Sequence, residues 1–158
     1  MELKHFTKSI LDKNSDIMNV SINMYSTTIV FNEAAVDQLG LEVGKRIIFT
    51  LDNESDTWYF FVTSDQDSFP LRKYAASEML AFNCKNLCKS IIKSVNEDAY
   101  KIGFTISPEP LEFNGIQLYK LELGEIEKDE FFTIETCIAI DKKEEEQQKE
   151  TTLLSIAI

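Results

Sequence analysis

The 158-residue sequence is poor in the residues from which most catalytic sites are built. It has one histidine, His5, so any Ser-His-Asp or Cys-His mechanism would depend on the polar N-terminal stretch. Its five glycines stand singly, which excludes a glycine-rich phosphate loop. Carboxylates are plentiful, but they fall in polar loops and near the C-terminus, where solvation explains them. We therefore predict that the protein is not an enzyme.

Cysteine is also scarce, and the number of cysteines is odd. Three of them fit reduced thiols better than a disulfide framework, which favours a cytoplasmic protein. Cys84 and Cys88 are four residues apart on one predicted helix face, and tetrahedral zinc would need two ligands beyond this pair, for which only Cys137 and His5 remain. Because the pair shares its stripe with Ile91, we interpret both as small buried hydrophobes. No metal or cofactor is predicted.

Long apolar runs and an excess of basic residues are both missing. No stretch approaches the roughly 20 apolar residues of a membrane span, and no signal peptide is recognisable, so no membrane partner is expected. Residues 1–124 carry 12 basic and 17 acidic side chains, and residues 125–158 carry 4 and 10. Much of the negative excess therefore lies in the last fifth of the chain. This balance is unlike that of duplex-DNA-binding proteins, which gain affinity by neutralising phosphates.

Two stretches of the chain share one order of residues. Residues 28–41 (TIVFNEAAVDQLGL) and 78–92 (EMLAFNCKNLCKSII) each run from an apolar strand through Phe-Asn into a helix. Asn32 is a suitable helix cap, and Gly40 supplies a left-handed stop. The helix of the second copy is predicted to run from about Asn83 to Val95. Alternating residues predict a strand hairpin over 45–63 and a second strand pair over 100–123. A duplicated unit explains the echo, and the alternative is coincidence, since Phe followed by a capping Asn is a common dipeptide.

We predict an α+β fold with a twisted, mostly antiparallel sheet, one short and one longer amphipathic helix, and an internal strand-helix-strand-strand duplication. Residues 1–19 form an N-terminal arm, and residues 20–140 form a single domain with quasi-repeats near 28–63 and 79–123. Within the domain, FPLRKY is a short strand with Pro70 at an edge, and SPEPLEFNG is a loop. FFTIETCIAI is a last strand, and residues 141–158 form an acidic tail with an apolar tip.

One short stretch resembles a family of DNA-binding proteins. The residues TIVFNEAAVDQLGLEVGKRIIF, from Thr28 to Phe49, are similar to the half-barrel of the AbrB and MazE swapped-hairpin proteins, with the Leu-Gly-Leu at the helix end and Gly44 as the most specific positions. Asn32 stands where that family usually has proline, and the preceding VSINMYSTT has no basic residue. The resemblance implies a DNA-binding regulator.

A longer stretch, from Lys45 to Val95, resembles the positive-cofactor-four coactivators and their Whirly relatives in its order of four strands and an amphipathic helix. The resemblance implies single-stranded DNA binding on a curved sheet. If Ile47, Phe49, Leu51, Trp58, Phe60 and Val62 face the helix, the opposite face carries the candidate nucleic-acid-binding residues, which are Arg46, Tyr59, Phe61, Arg72 and Tyr74. Aromatic side chains that stack on bases, interleaved with arginines, suit a single-strand groove. The alternative is that Tyr59 and Phe61 belong to the core.

The sequence thus favours a non-enzymatic protein that binds single-stranded DNA or RNA. One alternative is a protein-interaction or assembly module that binds a protein partner through its C-terminal strand and tail. The other is an AbrB-like regulator of duplex DNA. A homo-oligomer is compatible with all three hypotheses.

Overall fold

The computed structural model describes residues 1–3, 16–96 and 98–129. The predictions for His5, Cys137, the last strand and the acidic tail lie outside these residues, as does most of the predicted arm. In chain order the elements are β1 (Asn19–Asn23), β2 (Thr28–Phe31), α1 (Glu33–Leu39), β3 (Arg46–Asp52), β4 (Thr57–Thr63), β5 (Phe69–Pro70), β6 (Arg72–Lys73), β7 (Leu80–Asn83), α2 (Lys85–Val95), β8 (Ala99–Ile106), β9 (Leu111–Phe113) and β10 (Ile116–Lys128). The α+β prediction is confirmed.

The strands form one curved antiparallel sheet that nearly closes on itself. Their order is β5, β3, β4, β10, β8, β1, β2, β7, β6, with β9 paired beside β10. The first and last strands of this order are consecutive in the chain and separated only by Leu71. The amide of Leu71 donates to the carbonyl of Lys45, and its own carbonyl accepts from the amide of Gly44, both at 2.8 Å. Residues 69–73, the closing segment, therefore join the two ends of the sheet into a barrel.

The barrel has an internal pseudo-two-fold symmetry. The first half consists of β1, β2, α1, β3 and β4. The second half consists, in the same order, of the closing segment, β7, α2, β8 and β10. Where the halves meet, Val30 pairs with Ala81, and these residues are equivalent by the 51-residue offset between the Phe-Asn pairs. On the opposite side Phe60 pairs with Tyr119, at equivalent positions of β4 and β10. This register is the one that a duplicated unit requires, although the common origin of the halves stays a prediction.

Aromatic side chains from both halves fill the barrel interior. The Phe60 ring lies 5.1 Å from Phe31, 5.9 Å from Phe49 and 5.2 Å from Tyr119, measured between centroids. Phe31 and Phe60 are fully buried. The predicted inward face of β3 and β4 is confirmed at Ile47, Phe49, Trp58 and Phe60. It is wrong at Val62, which is 39% exposed, because β10 pairs with β4 only at Tyr59 and Phe60 and the two strands separate beyond.

Helix α2 covers one side of the core. It buries Cys88, Ile91 and Ile92 and contacts β1, β2 and β8. The Trp58 indole N–H on β4 donates to the Ser94 hydroxyl at 2.8 Å and so links the helix to the other half of the sheet. Among the described residues, no helix has the length and apolarity to cross a bilayer.

The repeated Phe-Asn pair has a structural explanation in both copies. Phe31 and Phe82 are core residues. Asn32 caps α1, as predicted, by accepting from the Ala35 amide at 2.9 Å. Asn83 does not cap α2, which begins two residues later than predicted; its amide group donates to the Thr28 hydroxyl at 3.0 Å instead. Asn32 also donates to the Ile17 carbonyl at 2.8 Å, so each asparagine connects its strand to a residue distant in sequence.

The region predicted as the loop 107–115 is partly strand. Pro108 and Pro110 restrict the irregular backbone to the residues just after β8, and β9 follows and pairs with β10. The turn between β9 and β10 is Asn114-Gly115, with φ of 50° and 80°. Two successive positive φ values give the turn whose twist matches a hairpin, which explains why a strand forms here.

The environment of the two helix cysteines predicts different reactivities. Cys88 is buried, and this burial raises its pKa from 9.0 to about 12, whereas Cys84 at the start of α2 is only half-buried. Because the thiolate is the nucleophile, native Cys88 should resist an alkylating reagent at pH 8, while Cys84 is modified more readily. Peptide mapping by mass spectrometry, with denatured protein as the fully labelled control, measures both. Equal labelling of the two in the native protein would contradict the buried position of Cys88.

Candidate nucleic-acid interface

Tyr59 and Phe61 lie on the outside of the barrel. They alternate along β4 with the buried Trp58 and Phe60, and both are half-buried rather than part of the core. The alternative interpretation of these two rings as core residues is therefore wrong. Tyr59 is directly opposite Thr50 on β3 and Lys120 on β10.

Phe61 is opposite Ile48 on β3. Five side chains form this outer surface of β3, β4 and β10, which we call the aromatic face. They are Ile48, Thr50, Tyr59, Phe61 and Lys120.

Arg46 lies beside this face, but its guanidinium is already occupied. Its Nε donates to the Ser68 hydroxyl at 2.9 Å and to the Asp65 carbonyl at 3.1 Å. Its Nη2 donates to the carbonyls of Gln66 and Ser68 at 2.9 and 3.0 Å. Arg46 thus holds the loop between β4 and β5, and a bidentate contact to phosphate would require these bonds to break.

Arg72 and Tyr74 lie farther around the barrel. Arg72 is two residues after Pro70, which pairs with Arg46, so it projects from the same outer surface about two strand spacings, roughly 10 Å, from β4. It is exposed, and its guanidinium donates to the Lys73 carbonyl at 3.1 Å and to Asn83. Tyr74 is 38% exposed. The structure therefore brings Tyr59 and Phe61 together and places the two arginines and Tyr74 at the margin.

Lys120 is a cation of the face that the sequence patterns do not single out. It is opposite Tyr59 on the outer surface of β10. Its ammonium is 4.0 Å from the Glu122 carboxylate, with both side chains at least half exposed, and such a surface pair is weak. The signal that could have identified it is the alternation of IQLYKLEL, once β10 is known to pair with β4.

A groove of about 520 Å³ lies on the other side of the barrel exterior, across β1, β8 and β10. Its floor is made of small residues, Ser21, Gly103 and Gly124. The pseudo-two-fold axis relates Ser21 to Arg72, because Ser21 pairs with Val30 and Arg72 pairs with Ala81. The equivalent position on the other side of the barrel therefore carries a long side chain in place of the small Ser21. The groove contains none of the predicted site residues.

The described part of the chain holds little that suggests acid-base or metal chemistry. No group of three or more His, Cys, Asp or Glu side chains within it is placed to hold a metal ion. The pKa of Asp52 is lowered, first by a hydrogen bond from the Ser55 hydroxyl and then by one from the Glu54 amide. Both hydrogen bonds lie within the turn between β3 and β4. The lowered pKa of Asp52 therefore reflects its role in stabilising this turn.

Comparisons of the chain with protein-family models, with curated proteins and with solved structures find no match. The case for a function therefore depends on the geometry of the aromatic face.

Proposed function

We propose that the protein binds single-stranded DNA or RNA, without catalysis, on the aromatic face. The observation that carries the proposal is the outward position of Tyr59 and Phe61, two rings on one strand that the core does not require. Stacking of a base on an aromatic side chain contributes about 1–3 kcal/mol and tolerates any base. Two rings two positions apart on a strand, with one inward-facing residue between them, are spaced to receive neighbouring bases of an extended strand.

Lys120 and Arg72 are the cations best suited to the backbone of such a strand. Lys120 lies directly beside Tyr59, and Arg72 is exposed at the margin of the face. Arg46 has a supporting role in this proposal, since it fixes the loop next to the face. The small number of cations predicts a modest affinity with a measurable but shallow salt dependence, because the slope of log affinity against log salt scales with the number of phosphates neutralised.

Fluorescence anisotropy with a labelled single-stranded oligonucleotide, at low and high salt, tests the proposal. Tyr59→Ala should weaken binding about tenfold or more, because one stacked base is lost. Tyr25→Ala, an exposed tyrosine on another part of the surface, is the matched control and should leave affinity unchanged. Arg72→Ala should reduce the slope of log affinity against log salt by about one. Arg46→Ala should lower the free energy of unfolding, but it should change the slope of log affinity against log salt little.

Three outcomes distinguish the hypotheses. Salt-sensitive binding that prefers single strands and is lost with Tyr59→Ala supports the proposal. Tighter binding of duplex competitor would favour the AbrB-like regulator instead. Absence of binding at low salt, also in a chain lacking residues 141–158, would refute nucleic-acid binding and favour the protein-interaction alternative. The deletion is needed because an acidic segment can compete with nucleic acid for a basic surface.

A further inference from the structure

Strand β9 and the first residues of β10 form a two-stranded hairpin, residues 111–118, which is called the arm. Within the described residues β9 pairs only with β10, and β10 joins β4 only from Tyr119 onward. Three apolar side chains of the arm are exposed, Leu111 at 54%, Phe113 at 59% and Ile116 at 37%. An isolated two-stranded hairpin is marginally stable in water, and clustered exposed apolar side chains mark an interaction surface.

A cleft lies beside the base of this arm, where β4 and β10 separate. It has a volume of about 430 Å³, enough for an aromatic side chain. Barrel residues that line it include Leu39, Phe61 and Val62, and Gly115, Ile116 and Gln117 of the same chain's arm border it as well. Lys45 is the single charged residue among those that line it. The arm carries the opposite charge, since it contains Glu112 and no basic residue, and Glu109 lies two residues before it. Arm and cleft are therefore complementary in both polarity and charge.

We propose that two copies of this chain associate by exchanging arms, with the arm of each copy docked in the cleft of the other. Arm and cleft are neighbours on one molecule, so the exchange is two-fold symmetric and closes as a dimer. The contact covers the exposed edge of β9, which otherwise resembles the unprotected strand edges that lead to aggregation. This inference does not depend on nucleic-acid binding. Phe61 belongs both to the aromatic face and to the lining of the cleft, but Tyr59, whose substitution tests nucleic-acid binding, does not line the cleft.

Analytical ultracentrifugation of the full chain tests the dimer. At roughly 100 µM, where even a micromolar dimer is mostly associated, the wild type should sediment at twice the chain mass of 18.1 kDa. Phe113→Ser should raise the dissociation constant roughly tenfold or more, since a central aromatic anchor is removed. Leu123→Ser is the matched control; Leu123 is 47% exposed on the same strand, and seven residues from Ile116 it is about 23 Å away.

A charge exchange tests the docking itself. Lys45→Glu and Glu112→Lys should each weaken the dimer, and the double variant should restore it. A monomeric wild type, or a dimer unaffected by Phe113→Ser, would overturn the proposal. If Phe113→Ser destabilises a monomeric wild type, the arm is covered by its own chain, which also overturns it. Tyr59→Ala should leave the dimer intact, so failure of this inference and failure of nucleic-acid binding are distinguishable.

Discussion

Replacing Phe60 with alanine should lower the free energy of unfolding by about 3–5 kcal/mol, the usual cost of removing a buried aromatic ring from a core. The Phe60 side chain is fully buried and contacts rings from three other strands, Phe31, Phe49 and Tyr119. Two of these partners are in its own half of the barrel, and Tyr119 is in the other. We therefore expect the whole barrel to lose stability in one cooperative transition, measured by urea denaturation with fluorescence and circular dichroism.

Phe61→Ala is the internal control for this experiment. It removes the same ring from the next residue of β4, but on the outer surface, where Phe61 is only half-buried. Its cost should be clearly smaller, about 1 kcal/mol or less. Equal losses for the two variants would mean that the inward and outward faces of β4 are misassigned.

Replacing Asn32 with alanine is expected to cost about 2–4 kcal/mol, which is large for a polar residue. Its carbonyl oxygen accepts from the amides of Ala35 at 2.9 Å and Asn19 at 3.0 Å, and its amide group donates to the Ile17 carbonyl at 2.8 Å. Losing the helix cap alone costs about 0.5–2 kcal/mol. The remainder comes from the hydrogen bonds to the Asn19 amide and the Ile17 carbonyl, each with a net contribution of about 0.5–1.5 kcal/mol.

Asn32→Asp separates these two contributions. The carboxylate still accepts from the two amides, so the cap is retained, but it cannot donate to the Ile17 carbonyl. Its stability, measured by the same urea titration, should lie between those of the wild type and the alanine variant. An aspartate variant as unstable as the alanine variant would show that the bond to Ile17 matters more than the cap.

Local structure was predictable wherever the period of the sequence and a boundary signal agreed. Helix α1 is predicted at both ends because Asn32 and Gly40 are standard cap residues that lie eight residues apart, on either side of the seven helix residues. The hairpin of β3 and β4 follows from strict alternation around a polar turn. The start of α2 was misplaced because Asn83 resembles a cap but hydrogen-bonds to Thr28, 55 residues away, which no local pattern reveals.

Closure of the barrel could not be predicted from these patterns. The segment from Phe69 to Lys73 has the same local signals whether it lies at an open edge or joins two ends of a sheet. The same limit applies to the candidate site. Alternation placed Tyr59 and Phe61 on the outer face, but it could not show that the loop carbonyls of Gln66 and Ser68 occupy the Arg46 guanidinium.

The pairs on the pseudo-two-fold axis, Val30 with Ala81 and Phe60 with Tyr119, bear on how such a barrel can change through evolution. In a symmetric pair of identical chains, a residue on the axis touches its own copy, so a single substitution alters both partners at once. Joining the halves in one chain removes that restriction, because each partner then mutates alone. A larger and a smaller side chain can then pair on the axis, as Val30 and Ala81 do. A phenylalanine can likewise pair with a tyrosine, as Phe60 and Tyr119 do. Positions away from the axis gain the same freedom, which permits one flank to carry Arg72 while the other keeps Ser21.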